Sequence, residues 1–258
     1  MFDLKVVSVV GCGGIGSWLI PPLVRYLASK GYDGEIILFD GDTYEEGNTN
    51  RQSFPARCIG MNKAVATAER ISADMPHMRI TATSQYISKE SAGMAMRENG
   101  ACFACVDNHP ARAHLARHLE TLKNGLLISP ANEKFDGNAC VYLRESGKDS
   151  TEHLLLRHPE IAAKLEGDRG AGCEALAAAG ETQLLLTNLW AATIAMSLFW
   201  TVVNHGMRLE KGEKLTEKPQ ESFFDIRTLT VNTLMAAKGG AHAGSSLSAV
   251  PLVSASAT

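Results

Sequence analysis

The sequence lacks an excess of charge of either sign. Its 25 lysine and arginine residues nearly balance 28 aspartate and glutamate residues, and the formal net charge is −3. A surface that binds nucleic acid normally needs clustered basic residues, because the phosphate backbone is recognised through its charge. The composition therefore argues against nucleic acid as a partner.

Paired CxxC motifs are also lacking, since only Cys102 and Cys105 have this spacing. A spacing of three along a strand points the two side chains to opposite faces, so they are predicted to be core thiols that cannot share a tetrahedral metal ion. We therefore predict no zinc. No secretory signal precedes the first strand, and we expect free thiols and a cytoplasmic location. The remaining cysteines are scattered: Cys12, Cys58, Cys140 and Cys173.

Long apolar runs are scarce, and one reaches the length of a membrane span. The segment Leu184 to Val203 has twenty residues and no formal charge. We expect a buried helix at a core or a dimer interface, because polar residues interrupt the run and no basic cluster flanks it closely. A membrane span is the less favoured alternative. The interrupting residues are Thr187, Asn188, Thr193, Ser197 and Thr201.

What the sequence does contain is an alternation of strand and helix patterns. A chain of 258 residues that is 45% hydrophobic can bury the core of one large α/β domain. The alternation predicts a Rossmann-like, mostly parallel sheet with helices on both faces and right-handed crossovers. The predicted strands are Leu4 to Val10, Glu35 to Phe39, Arg79 to Gln85, Ala101 to Val106, Leu126 to Ser129 and Ala139 to Leu143, and the predicted helices lie near Ser17 to Ser29, Asn62 to Ala73, Lys89 to Glu98 and Ala111 to Leu122.

The domain is predicted to span residues 1–238, with a charged crossover or insertion at 144–180. Phe223 to Leu234 is predicted to form a short pair of C-terminal β segments. Residues 239–258 are rich in Gly, Ala and Ser and have too little apolar bulk to offset the entropy of ordering, so we expect a disordered tail.

A glycine-rich turn, GCGGIGS, follows the first strand. Such glycines let the backbone turn tightly, approach a phosphate and pack the next helix, whose N-terminus then faces an anion. Asp40 ends the second strand, where a carboxylate accepts hydrogen bonds from an adenosine ribose. The pattern predicts a nucleotide site but fits both redox enzymes and ATP-using enzymes. Its glycines are Gly11, Gly13, Gly14 and Gly16.

The stretch after Asp40 separates these two classes. It contains polar and cationic side chains that a redox enzyme does not need but that together could hold a triphosphate. Cations near the phosphates stabilise the charge that develops as pyrophosphate leaves. Any one of these residues alone would be interpreted as a turn former or a solvated surface charge. Only their joint spacing indicates a phosphate site. They are Asn48, Arg51, Gln52 and Lys63.

These motifs, GxGGxGS, DxDxxxxxNxxRQ, a lysine and a strand ending in aspartate, resemble the ThiF/MoeB and ubiquitin-activating adenylyltransferases over roughly residues 5 to 130. The resemblance implies ATP and Mg²⁺ as cofactors, with Asp40 on the ribose and Asp107 on the metal. It places Asn48, Arg51 and Lys63 on the phosphates. Arg112 matches the family's arginine after that aspartate, but we predict a structural role for it. The alternative for Asp107 is a cap on the following helix.

Cys173 lies after the charged crossover, where some superfamily members have a cysteine that forms a thioester or transfers sulfur. Its spacing from Gln183 and Asn188 looks like that of ThiF-type proteins of bacterial PRTRC plasmid systems, which travel with a ubiquitin-like protein. Two interpretations stay open: an acyl-accepting thiol, and a buried structural cysteine.

One departure concerns the N-terminus. Several relatives place an arginine from an N-terminal helix in the partner subunit's ATP site, whereas the first strand here starts close to Met1. We expect either that another basic residue replaces it or that the step in which pyrophosphate leaves is slower. The resemblance still implies a homodimer.

The resemblance implies adenylation of the C-terminal carboxylate of a ubiquitin-like small protein or peptide ending in glycine, with thioester transfer to Cys173 as a second step. A non-catalytic nucleotide-binding scaffold and an NAD(P)-dependent oxidoreductase are the alternatives.

Overall fold

The computed structural model describes residues 3–163, 185–205 and 216–236. Within these ranges nine strands form one sheet. They are β1 Val6–Val10, β2 Glu35–Phe39, β3 Arg79–Thr83, β4 Gly100–Ala104, β5 Gly125–Asn132, β6 Asp136–Glu145, β7 Lys148–Asp149, β8 Pro219–Asp225 and β9 Thr230–Met235.

Seven α-helices are described in the same ranges, together with two short 3-10 turns at Glu46–Asn48 and Ala56–Cys58. The helices are α1 Gly14–Ser29, α2 Lys63–Asp74, α3 Ala92–Ala95, α4 His109–Leu119, α5 Leu154–Arg157, α6 Pro159–Ala163 and α7 Leu185–Val203.

The sheet has the order β3-β2-β1-β4-β5-β6-β8-β9, with β7 beside β6. Pairing is parallel from β3 to β5 and antiparallel from β5 onward. All five residues of β1 are buried, as expected for a central parallel strand that is covered on both faces. The predicted Rossmann-like fold is confirmed, and the predicted C-terminal pair of β segments corresponds to β8 and β9.

Two hydrophobic clusters fill the two faces of the sheet. One joins the sheet to α1, α2 and α7, and the other joins it to α3, α4, α5 and α6. Cys105 belongs to the first cluster and Cys102 to the second, and both are buried. The prediction that these two thiols are core residues on opposite faces is confirmed.

Helix α7 is the apolar segment that had the length of a membrane span. With 19 residues and a mean hydropathy of 1.5, it is long and apolar enough to cross a membrane by length and composition alone. Half of its most apolar 18-residue stretch, however, is buried within the protein. Ala191, Ala195 and Phe199 are fully buried in the cluster shared with α1 and the sheet. The helix therefore packs as a core element.

The exposed side of α7 carries a row of hydroxyl groups that bond to their own helix. Thr193, Ser197 and Thr201 each donate a hydrogen bond to the backbone carbonyl four residues earlier, at 2.8 to 2.9 Å. These hydroxyl groups are therefore satisfied without any partner outside the helix.

The structure differs from the sequence expectation in two segments. The helix predicted at Lys89 to Glu98 is only the short α3, because Gly93 disfavours helix and Met96 leaves helical dihedrals to become fully buried. The charged stretch after β6 begins with β7, α5 and α6. The rest of the predicted crossover, from 164 to 180, and the tail 239–258 lie outside the described residues.

We expect Phe199→Ala to lower the free energy of unfolding by about 3 to 5 kcal/mol, because it removes a ring packed 5.4 Å from that of Phe103 between α7 and the sheet. Leu186→Ala, at a side chain on the same helix that is 53% exposed, is the control and should change it by less than about 0.5 kcal/mol. Urea unfolding of both variants measures the difference. Equal effects would contradict the packing of α7 on the sheet.

Candidate active site

The candidate site lies where the order of the sheet reverses. The chain runs from β1 outward to β2 and β3 and then returns to place β4 on the other side of β1. In open α/β sheets ligands bind in the crevice outside the carboxyl ends of the strands at such a point. The glycine turn follows β1, Asp40 follows β2 and Asp107 follows β4, so this edge holds the three predicted groups.

Two glycines of the turn are required by close backbone contacts. Gly11 has a φ of 90°, and a Cβ atom there would lie 2.4 Å from the carbonyl oxygen of Cys105. A Cβ atom on Gly16 would lie 1.9 Å from the carbonyl oxygen of Gly11. A side chain at Gly11 would collide with the backbone that follows β4, and one at Gly16 would collide with the backbone of the turn itself.

The N-terminus of α1 is open toward the crevice. Its N-cap residue is Gly13, so no side chain caps the helix, and its first turn has no acidic residue. The first amide groups of a helix have no partner within it and carry the positive end of the helix dipole. This terminus is therefore suited to an anion such as a phosphate.

Asp40 ties the glycine turn to the loop after β2. One carboxylate oxygen accepts a hydrogen bond from the Cys12 amide at 2.6 Å, and the other accepts one from the Asp42 amide at 2.9 Å. Burial raises the pKa of the Asp40 carboxyl, and these two amides partly counter the effect. Each oxygen keeps a further lone pair, so Asp40 can hold the turn and still accept a ribose hydroxyl.

Lys63 is buried against the glycine turn. It is the first residue of α2, which Asn62 caps by accepting a hydrogen bond from the Val65 amide. The Lys63 Nζ lies 3.1 Å from Asp42 Oδ2 and 3.8 Å from the position that a Gly13 Cβ would occupy. The Lys63 side chain is 5% exposed and the Asp42 side chain 40%, so the carboxylate is the more accessible partner.

Asp42 was not among the predicted site residues, although the DxD pattern of Asp40 and Asp42 is visible in the sequence. It neutralises a lysine that would otherwise be a buried, unpaired charge.

Asn48 and Arg51 are buried in the loop after β2, where both make local hydrogen bonds. The Asn48 Oδ1 accepts from the Glu45 amide at 3.1 Å and closes a reciprocal cap. The Arg51 guanidinium donates to the Gly47 carbonyl at 2.6 Å and to Asn50 Oδ1 at 3.1 Å. The described contacts of these two predicted phosphate ligands therefore shape the loop itself.

Gln52 extends from this loop to the glycine turn. Its Nε2 lies 3.5 Å from the position of a Gly13 Cβ, and its Oε1 is buried without a hydrogen-bond partner among the described residues. A buried polar atom without a partner is costly in a folded protein and commonly marks a ligand position. Gln52 and Lys63 thus converge on the same glycine.

Asp107 is exposed at the carboxyl end of β4. The next residue, Asn108, caps α4 by accepting a hydrogen bond from the Ala111 amide at 2.9 Å. The alternative interpretation of Asp107 as the cap of this helix is therefore wrong. Arg112 donates to Ser129 Oγ and to the Val106 carbonyl, which confirms its structural role between β4 and β5.

Asn188, a fully buried residue of α7, is a second site residue after Asp42 whose role the sequence did not reveal. Its Oδ1 lies 2.9 Å from the position of a Gly14 Cβ and accepts a hydrogen bond from Asn132 at 3.2 Å. Its Nδ2 donates to the Arg51 carbonyl at 3.4 Å. The side chain thereby joins α7, β5, the glycine turn and the loop after β2. Cys173 and Gln183 lie outside the described residues.

The chain matches a known protein family over most of its length. The model of the ThiF family matches residues 3–232, which is nearly the whole chain. The chain belongs to the ThiF family. This confirms the resemblance that the glycine turn, Asp40, the NxxRQ motif and Asp107 had indicated.

Three curated relatives show the kinds of protein to which this ThiF chain is similar. It is 27% identical over 192 residues to the adenylyltransferase and sulfurtransferase UBA4 of Yarrowia lipolytica, covering 72% of this chain and 47% of that protein. It is 36% identical over 91 residues to the tRNA threonylcarbamoyladenosine dehydratase of Escherichia coli, with coverages of 35% and 32%. It is 33% identical over 120 residues to the ubiquitin-like modifier-activating enzyme 5 of Culex quinquefasciatus, with coverages of 42% and 29%. The matches thus span less than half of each relative.

Among solved structures, the fold is similar to that of Escherichia coli MccB determined with ATP. The TM-score is 0.62 at 16% identity, and the superposition covers 92% of this chain and 65% of that one. This likeness supports the ThiF fold.

We expect Gly16→Ala to lower the free energy of unfolding by about 1 to 3 kcal/mol, because its new methyl group would meet the Gly11 carbonyl. Gly47→Ala is the matched control, since nothing lies within 4 Å of its Cβ position, and it should cost less than about 0.5 kcal/mol. Chemical unfolding compares the two. A Gly16→Ala variant as stable as Gly47→Ala would show that the close approach is not required.

Proposed function

We propose that this ThiF protein uses ATP to adenylate the C-terminal carboxylate of a ubiquitin-like small protein or peptide. The observation that carries the proposal is the convergence of Gln52 and Lys63 on Gly13 at the open N-terminus of α1. The Lys63 ammonium, the Gln52 amide nitrogen and the N-terminal amides of α1 are all hydrogen-bond donors, which fits the phosphate oxygens of a nucleotide. A nicotinamide dehydrogenase leaves the buried Lys63 unexplained.

Asp42 and Lys63 form the part of the site that responds to the nucleotide. The Asp42 carboxylate balances the Lys63 ammonium at 3.1 Å. Phosphate oxygens arriving at the α1 terminus would compete with Asp42 for the same ammonium group. Lys63 would then stabilise the negative charge that grows on the phosphates as pyrophosphate leaves.

Asp107 fits the role of a magnesium ligand, because it is an exposed carboxylate at the carboxyl end of the strand beside the glycine turn. Magnesium prefers oxygen ligands and usually binds through one or two carboxylates together with substrate phosphates. When bound, the ion would neutralise phosphate charge. The Asp40 carboxylate, held by two backbone amides, would accept a ribose hydroxyl.

The reaction requires little acid-base catalysis from the protein. The substrate's terminal carboxylate is already ionised at neutral pH and attacks the α-phosphorus in line. A bond forms between the carboxylate oxygen and the α-phosphorus, the bond to the bridging oxygen breaks, and pyrophosphate leaves with the electron pair. Positioning of the two reactants is therefore the main contribution expected from the crevice.

The names of two relatives support this choice of reaction and of substrate. UBA4 is an adenylyltransferase and sulfurtransferase, and enzyme 5 of Culex activates a ubiquitin-like modifier. The Escherichia coli dehydratase instead carries a tRNA nucleoside in its name. A net charge of −3 without a basic excess favours the protein or peptide substrate for this chain.

We also propose a homodimer, as the resemblance implies, and a cytoplasmic location. The partner expected from the likeness to PRTRC-system proteins is a co-encoded ubiquitin-like protein that ends in glycine. Static light scattering of the purified chain should give the mass of two copies, and the mass of one would remove the dimer from the proposal.

Lys63→Ala and Asp107→Asn should each reduce ATP:pyrophosphate exchange by about 100- to 1,000-fold, because each removes a group that stabilises phosphate charge. The assay contains the ubiquitin-like partner, ATP and magnesium. Circular dichroism establishes that the variants are folded.

Lys30→Ala is the control for charge, since this exposed lysine lies at the opposite end of α1. It should retain exchange. Near-normal exchange in both site variants would overturn the assignment of residues, whereas a wild type without partner-dependent exchange would favour the scaffold or the dehydrogenase.

Cys173 is proposed to capture the acyl group. Its thiolate would attack the carbonyl carbon of the acyl adenylate, a C–S bond would form, and AMP would leave with the electrons of the C–O bond. Adenylation and capture are separate steps, so substitution of the thiol need not affect the first.

Cys173→Ala should therefore leave pyrophosphate exchange intact and eliminate a thiol-sensitive adduct with the partner. Non-reducing electrophoresis with and without thiol detects this adduct. Cys102→Ala, at a buried thiol in the core, should retain the adduct. A wild type that forms adenylate but never a reducible adduct would assign Cys173 a structural role.

A further inference from the structure

A compact group of polar side chains lies apart from the nucleotide crevice, among β6, β8 and the α5–α6 segment. The ligand atoms of Cys140, His158 and Glu221 all lie within 4.8 Å of one another. Cys140 and Glu221 are direct neighbours on antiparallel strands, so their side chains lie on the same face of the sheet. His158 follows α5 and approaches from that face, with its Nε2 3.0 Å from Glu221 Oε1.

This group is almost completely removed from solvent. Cys140 is 2% exposed and Glu221 is fully buried. The His158 side chain is 19% exposed and is the route by which the group meets the surface. Burying a carboxylate, an imidazole and a thiol together is costly unless they share a cation or a full set of hydrogen bonds.

Each oxygen or nitrogen ligand also has an outer partner that fixes its orientation. The second ring nitrogen of His158, Nδ1, lies 2.9 Å from a carboxylate oxygen of Glu160. Glu221 Oε2 accepts from Arg157 and Oε1 accepts from Asn138 at 2.6 Å. A histidine that contacts a carboxylate through one nitrogen and a metal through the other is the usual arrangement in protein zinc sites. An ion pair between Glu221 and Arg157 would need neither the thiol nor Glu160.

The geometry points to a zinc site formed by Cys140 Sγ, His158 Nε2 and Glu221 Oε1, with a water molecule as the fourth ligand. Thiolate, imidazole and carboxylate are the three ligand types that zinc takes in proteins. A tetrahedral zinc ion with such ligands separates their atoms by roughly 3.3 to 3.6 Å. The observed separation of 3.0 Å between His158 Nε2 and Glu221 Oε1 is therefore only slightly short of that geometry.

Bound zinc would take the place of the proton between His158 Nε2 and Glu221 Oε1 and of the proton on the Cys140 thiol. It would cross-link β6, β8 and the segment between α5 and α6, so that the chain that follows β6 is fixed to the sheet. The expectation of a zinc-free chain came from the absence of paired CxxC motifs. This site replaces that expectation, because its ligands come from three segments that no spacing motif connects.

The deciding experiment measures zinc by elemental analysis in the full chain after expression with zinc and exhaustive dialysis. The wild type is expected to retain stoichiometric zinc, and Cys140→Ala is expected to lose it. Cys102→Ala is the matched control, because this buried thiol lies in the same hydrophobic cluster as Cys140, and it is expected to retain zinc. Wild-type protein without zinc, or Cys140→Ala with full zinc, would overturn the site.

A second variant decides the matter if Cys140→Ala fails to fold. Glu160→Gln changes a side chain that is 57% exposed and only orients His158, and it should weaken zinc binding by about 10- to 100-fold in competition with a chromogenic chelator. Unchanged affinity would contradict the arrangement. Replacement of zinc by Co²⁺ should also give a thiolate-to-cobalt absorption band in the wild type, and the absence of this band would exclude Cys140 as a ligand.

Discussion

The close approach of Gly16 to the carbonyl of Gly11 is the contact on which the nucleotide crevice depends. It lets α1 begin directly above the end of β1, so that the helix N-terminus faces the switch point of the sheet. Asp40 then holds the turn through the Cys12 amide, while Asn188 of α7 lies against Gly14 and bonds to the Arg51 carbonyl. The remaining site residues are positioned relative to a backbone that allows no side chain at its tightest point.

Charge in the crevice is balanced in pairs. Asp42 neutralises the buried Lys63, and the buried Asp40 carboxylate is stabilised by amide groups, in keeping with the high cost of unpaired charge in a protein interior. The neutral Gln52 Oε1 is different, because it is a buried hydrogen-bond acceptor that lacks a described partner. A ligand that supplies a donor at this position and an anion near Lys63 would resolve both features together.

Much of this site could be predicted because its signals are local. The glycine turn, Asp40 and Asp107 each follow a strand closely, so a pattern of strand, turn and acidic residue was enough to find them. The Asp42 pairing required knowledge of how Lys63 enters the crevice from α2. Arg51 and Asn48 were predicted as phosphate ligands from their spacing, yet their described hydrogen bonds are to their own loop, because side chains in a short loop readily bond to nearby backbone. Contacts through α7 and across β6 and β8 depend on tertiary register, which spacing does not encode.

The hydroxyl row on α7 changes how the polarity of that helix should be understood. A hydropathy count treats Thr193, Ser197 and Thr201 as groups that seek water, yet each has already given its hydrogen to the helix backbone. Thr187 and Asn188, the other polar interruptions, are buried and bonded within the protein. The outer face of α7 is therefore less hydrophilic than its composition suggests. If another apolar surface covered that face, every hydroxyl hydrogen would keep its hydrogen bond. Desolvation of the face would therefore cost little free energy.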